Sequence, residues 1–340
     1  MRRNVIGMTL LALTILLAYG VVEVQADEII LRFASAYVET PTKFQPEEVK
    51  GPQVFCDLIN KKGAGKVKVE YYPSGQLFKD KDMMTAIPGG SLDMGITNIS
   101  QWSALVPAAA LYELPFFYKD DEHIYKVLHS KAGEMIAKEF EQKGIKFLGL
   151  WRTGPIGIIN SRRPLKAPED LAGLKIRALG KVNSDFLTAE GGSPIFMSAS
   201  EMFMALQRGT VDGICTTPLG MGGYKLYEVA KHLTVFPNYW VTFPIVISLQ
   251  VWNTLPDDVK KVIAESAEEV MAASRKEKWL ERSADEYFDI TLQNGVPKYV
   301  LNEEEYKAWK KKADAVTKAF EASLGDSGKT LIKYAVEAGN

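Results

Sequence analysis

Side chains that commonly run reactions or hold metals are scarce in this sequence. Its 340 residues include three histidines (His123, His129, His232) and two cysteines (Cys56, Cys215). His123 and His129 stand six apart on an expected helix, so they face different ways and make a poor pair for a metal. Each histidine is read as a surface or capping residue. No G-x-S-x-G elbow, H-E-x-x-H helix, phosphate-binding lysine loop or paired C-x-x-C occurs. Gly220-Met221-Gly222-Gly223 is glycine-rich, but it follows Pro218 and lacks dinucleotide spacing, so a loop is expected. Acidic residues are plentiful, yet sequence alone pairs no two of them in space. Cys56 sits in an apolar helical stretch with Val54, Phe55, Leu58 and Ile59. Pairing it with Cys215 would close a loop of about 160 residues, so two free buried thiols are expected.

The elements that must position any site alternate between strand and helix. Short apolar or alternating strands are expected at 29–33, 67–71, 92–96, 146–151 and 156–159, with helices around 46–62, 79–88 and 121–143. A second unit begins near Thr153, with strands at 174–177, 211–214 and 241–248 and helices at 183–190 and 200–208. Gly209 suits the left-handed cap of the last of these helices, and Ser200 is its N-cap candidate. This alternation predicts α/β architecture with largely parallel sheets. From Asp257 to Asn294 there is neither proline nor glycine. One continuous helix of those 38 or so residues would span roughly 57 Å, enough to bridge two lobes; a kink would make it two helices. A last helix starts at Asn302, with Glu305 as reciprocal partner.

Lys plus Arg number 41 against 42 Asp plus Glu, a net charge of −1. That balance gives no electrostatic reason to bind nucleic acid. The chain opens with Met1-Arg2-Arg3-Asn4, an uncharged apolar run from Val5 to Val22, and Val24-Gln25-Ala26. This is the pattern of a secretory signal peptide over residues 1–26, cut after Ala26. A membrane anchor is the alternative, and the V-x-A motif argues against it. Removing Arg2, Arg3 and Glu23 takes one positive charge from −1 and leaves −2 on the mature chain. No later apolar run is long enough to cross a bilayer, so an exported protein is expected.

Several segments resemble the solute-binding proteins of tripartite ATP-independent periplasmic (TRAP) transporters. They are Arg163-Pro164-Leu165, Pro168-Glu169-Asp170-Leu171-Ala172-Gly173-Leu174-Lys175-Ile176-Arg177, Gly191-Gly192-Ser193-Pro194, Ser200 to Gly213, and Tyr227-Glu228-Val229-Ala230-Lys231. Tyr72 to Leu77, Gly90 to Met94, Glu113 to Phe117 and Leu255-Pro256 extend the likeness over nearly the whole mature chain, in order. The resemblance implies a two-lobed periplasmic binding protein fold with crossing strands and a long inter-lobe helix. The lobes would be 27–153 plus 241–281 and 154–240 plus 282–340, with crossings near 152–155 and 240.

It also implies that Arg177, ending the K-I-R strand, grips a ligand carboxylate. The chemistry agrees, because a guanidinium fork matches two carboxylate oxygens with charge-assisted bonds. Contacts implied beside it are Met197, Ala199, Cys215, Thr216 and Thr217, with Tyr37 and Asn98 from the first lobe. Relative to sialic-acid-binding members, Gly157 stands where a second arginine would be, and Arg152 is the candidate to replace it. Thr216 takes the place of an asparagine, Ala199 that of an aromatic ring, and Cys215 that of an acidic residue. Losing that acid removes the metal seen in some keto-acid binders, so no metal and no cofactor are expected. Gly157, Ala199 and Cys215 together suggest a less polar, roomier pocket, walled by Trp102 and Trp240, with Trp151 and Tyr239 near. The expected function is a monomeric periplasmic receptor, not an enzyme. It would bind a small monocarboxylate with an aromatic or branched body and deliver it to membrane permease subunits. A ligand-presenting partner of a sensor kinase, and a secreted enzyme acting on an organic acid, are the rival readings.

Overall fold

The computed structural model describes residues 28–35 and 52–340. The signal segment, its cleavage after Ala26, Tyr37 and the 46–51 part of the first expected helix lie outside the described residues. The first half of the chain runs β1 (Ile29–Ser35), α1 (Pro52–Lys62), β2 (Val67–Tyr72), α2 (Asp80–Ala86), β3 (Met94–Ile96) and α3 (Ile99–Trp102). It continues through α4 (Asp121–Leu128), α5 (Lys131–Gln142) and β4 (Ile145–Asn160). Then come β5 (Lys175–Ala178), α6 (Lys181–Ala189), β6 (Ser193–Phe196), α7 (Met202–Gln207), β7 (Gly213–Thr216), α8 (Pro218–Gly223) and β8 (His232–Ser248). The chain closes with α9 (Leu249–Thr254), α10 (Asp257–Lys276), α11 (Trp279–Gln293), β9 (Lys298–Val300), α12 (Glu303–Ser323) and α13 (Gly325–Ala338).

Among the described residues the strands form one nine-stranded sheet in the order β2-β1-β3-β8-β4-β7-β5-β6, with β9 beside β8. β1 pairs parallel with β2 and β3, and β5 pairs parallel with β6 and β7. Two long antiparallel strands, β4 and β8, run through both halves and join them. The sequence suggests two strands at 146–151 and 156–159, and a return strand only from Val241. Each is instead part of one strand of 16 or 17 residues. The ladder takes up Thr153-Gly154-Pro155 and Pro237-Asn238 as irregularities. Its register jumps between Arg152 and Pro155, and between Pro155 (opposite Trp240) and Gly157 (opposite Val235). Asn238 sits there at φ 57°. A bulge is where a strand tolerates a proline that cannot donate to the ladder.

The long proline-free stretch is two helices. It breaks at Glu277–Lys278, with Lys278 at φ 53°. α10 buries Val259, Ile263 and Val270 against Phe33, Phe55 and Ile247 of the first half. α11 buries Ala284 and Phe288 with Ile159, Ile214 and Leu233 of the second. Two apolar stripes facing two different cores require the change of direction. The expected helix over 121–143 is likewise two, because Ser130 Oγ accepts from Ala132 N and starts a new helix. Ser198, not Ser200, makes the capping box before α7, with Glu201 as partner. Asn302 caps α12 as its spacing predicts, accepting from Glu304 N and Glu305 N. α13 packs on α12 and also on α4 and α5 of the first half. Cys56 and Cys215 are both buried, and neither forms a disulfide. His123 is buried rather than superficial, its ring within hydrogen-bond distance of Ala335 O.

Candidate functional site

Parallel strands carry their loops to the site at their carboxyl ends, and both halves of the sheet direct those ends toward one cleft. A ligand site beyond the carboxyl edge is what such sheets build. From the second half come Arg177 near the end of β5 with Leu179 just after it, Ala199 after β6, and Thr216 ending β7 with Thr217 after it. From the first half come Asp80 at the start of α2 and Asn98 after β3. Val241 and Phe243 of the crossing strand β8 close the back, and Met202, Leu219, Gly220 and Tyr224 complete the walls. The cavity encloses about 610 Å³, counting its open mouth.

Arg177 is 6% exposed. Its Nε donates to Met197 O (3.3 Å) and its Nη1 to Cys215 O (3.2 Å). Among the described residues no carboxylate lies within 4.0 Å of its guanidinium. Burial draws its pKa down, while Cys215, Asp80 and Tyr224 push it back up; a guanidinium so far above neutrality keeps its charge. The fold has therefore desolvated a cation without placing a carboxylate against it, an arrangement that is costly until a closer anion arrives. Asp80 faces the same space from the opposite half. It accepts a 2.8 Å bond from Thr97 Oγ1; burial raises its pKa, and the Thr97 bond and the Arg177 charge lower it. Asn98 Oδ1 accepts from Ser100 N (2.8 Å), so the end of this side chain still available is the donor Nδ2. Thr217 caps α8, its Oγ1 accepting from Gly220 N (3.3 Å), and its own O–H is left to donate.

Of the residues singled out in the sequence, Arg177, Ala199, Thr216, Thr217 and Asn98 line this cavity. Met197 and Cys215 serve through backbone carbonyls that hold Arg177. The Cys215 thiol, pushed up to about 12 by burial, instead accepts from Asn183 Nδ2. Three expected residues are elsewhere. Trp102 is fully buried in the core, edge-on to Phe140 with ring centres 5.8 Å apart. Val241 and Phe243 line the cavity, so strand alternation turns Trp240 to the other face. There the Arg152 guanidinium lies 5.1 Å from its ring. Arg152 is spent within the chain on Asp121 and on Glu281 (2.7 Å), so it does not replace a second ligand-binding arginine. Gly157 does not open the pocket either. A Cβ there would lie 2.7 Å from Thr234 O and 2.8 Å from Met221 Cε. Of the three residues expected to make the pocket roomier, only Ala199 lines it.

Sequence reasoning missed Asp80, Leu179, Met202, Leu219, Gly220, Tyr224, Val241 and Phe243. An acid opening a helix reads as dipole complementarity, which hid Asp80. Gly220 belongs to α8, not to a loop, and a Cβ there would meet Thr216 Oγ1. That clash is the signal in the glycine run. Among the described residues no three His, Cys, Asp or Glu side chains converge on a metal-sized space. No helix among them is long and apolar enough to cross a membrane.

Comparison with known proteins adds three findings. The family described as bacterial extracellular solute-binding protein, family 7, matches residues 39–323. The C4-dicarboxylate-binding periplasmic protein DctP of Rhodobacter capsulatus is 33% identical over 304 residues, covering 86% of this chain and 89% of that one. A TRAP periplasmic solute binding protein from Shewanella oneidensis, solved with bound succinate, superposes with a TM-score of 0.80 at 26% identity. It covers 92% of this chain and 100% of its own.

Proposed function

Because this chain belongs to the bacterial extracellular solute-binding proteins of family 7, the periplasmic receptors of TRAP transporters, we propose that it captures a small monocarboxylate. Receptors of this family bind small organic acids and hand them to membrane permease subunits. They are not enzymes. The observation that carries the present reading is Arg177, a buried guanidinium that opens on the cavity with no carboxylate partner among the described residues. The ligand's carboxylate supplies the missing anion in a paired, charge-assisted contact. Thr216, Thr217 and Asn98 bond its polar groups. Leu179, Leu219, Val241 and Phe243 hold an apolar body, branched or aromatic, in place of the Trp102 and Trp240 walls that the sequence suggests. In this reading the lobes 27–153 plus 241–281 and 154–240 plus 282–340 close over the ligand. The chain works as a monomer, exported after cleavage at Ala26.

Isothermal titration with 2-hydroxybutanoate, 2-hydroxyisovalerate and mandelate tests this. Arg177→Ala is expected to weaken whichever binds by tenfold or more, about 1.4 kcal/mol. Equal affinities of the two proteins would overturn the role of Arg177.

A further inference from the structure

Among the described residues the cavity holds two charged side chains, and they come from opposite halves: Arg177 and Asp80. Its other polar lining groups are neutral: Asn98, Thr216, Thr217 and Tyr224. Building on the reading that Arg177 takes the ligand's carboxylate, we propose that Asp80 sets what the rest of the ligand must be. It must carry a hydrogen-bond donor, a hydroxyl or an ammonium group, and it must not carry a second carboxylate.

Charge arithmetic leads there. Before a ligand enters, Arg177 and Asp80 cancel. A monocarboxylate satisfies the arginine and brings the site to −1; a zwitterion leaves it neutral. A dicarboxylate would bring it to −2, with three carboxylates sharing one guanidinium in a partly dehydrated space where like charges repel strongly. Asp80 is also acceptor-only when ionised, and Thr97 Oγ1 supplies one of the bonds it accepts (2.8 Å). Asp80 lines the cavity, and lone pairs left without a donor lose water when the cleft closes, which is costly unless the ligand donates to them. A ligand with only a methyl group at that end leaves them unmet. Rejecting the analogue that lacks a donor is a stronger discrimination than an apolar wall provides. This chain thereby departs from what its relatives' names suggest, for the compared proteins include a C4-dicarboxylate-binding receptor and one holding succinate.

Four-carbon acids that differ in one group give the test: succinate, butanoate, and 2-, 3- and 4-hydroxybutanoate, titrated calorimetrically into the exported protein. The wild type is expected to bind one hydroxybutanoate at least tenfold more tightly than butanoate or succinate. Asp80→Asn, which keeps the shape but brings a donor and no charge, should raise succinate affinity tenfold or more and erase the preference for the hydroxy acid. Asp80→Ser must move the ratio the same way, which guards against a folding defect in either variant. Equal wild-type affinities for all five probes, undetectable binding included, would overturn the inference, as would ratios unchanged in both variants. Loss of binding in Arg177→Ala with unchanged ratios in Asp80→Asn overturns only the role of Asp80. Unchanged binding in Arg177→Ala overturns the reading on which it rests.

Discussion

Glu113 lies fully inside the core, one carboxylate oxygen accepting from Ser100 Oγ and the other without a hydrogen-bond partner among the described residues. Burial pushes its pKa up to about 7, with the Ser100 bond opposing. Between the unfolded value near 4.5 and that value, the native state holds a proton that the unfolded chain releases. Stability at this residue is therefore greatest below about pH 4.5, falls as pH rises, and is lowest above about 7. Glu113→Gln removes the titration. Urea denaturation should find it more stable than the wild type at pH 8 by up to about 3 kcal/mol, with the gap closing toward pH 4.5. A gap independent of pH would mean the carboxyl is ionised in the fold. Residues differ in how plainly the sequence exposes their roles. Arg177 is legible because the family resemblance marks its strand-end position and a guanidinium fork suits a carboxylate. Asp80 and Glu113 are not, because an acid's role depends on what desolvates it, and their neighbours Thr97 and Ser100 are 17 and 13 positions away.

At the scale of elements, short strands flanked by turns are readable from alternation, and caps from local hydrogen-bonding partners such as Asn302 and Glu305. Long strands are not, because bulges at Pro155 and Pro237 look in sequence like places where a strand must stop. The same holds for the break at Lys278, where no proline or glycine marks the change from one apolar stripe to another. Gly157 tests the crossing ladder directly. Gly157→Ala puts a Cβ 2.7 Å from Thr234 O, a backbone atom held in the β4–β8 pairing. Overpacking of this kind costs about 1–3 kcal/mol, read as a lower urea midpoint at unchanged slope. A neutral variant would show that the two crossing strands separate freely at that point.

For the whole molecule, β4 and β8 each belong to both halves of the sheet, and one apolar cluster includes Trp102 and Phe140 of the first half with Phe186 and Phe236 of the second. Neither half can lose its sheet without unzipping a strand of the other. Scanning calorimetry of the ligand-free protein should therefore show one transition, with van't Hoff and calorimetric enthalpies in agreement. Two separated transitions would mean the lobes are stable alone. The α/β class, the burial of both cysteines, the absence of metal and dinucleotide motifs, and the family were determined by sequence, because each rests on residue type and spacing along the chain. The tertiary structure decided which groups share the cavity. It brought Asp80 and Asn98 to face Arg177, turned Trp240 away by strand alternation, buried Trp102, and spent Arg152 on Asp121 and Glu281. Those outcomes depend on how strands cross and where desolvated charges find partners, and such partners come from segments far apart in the chain.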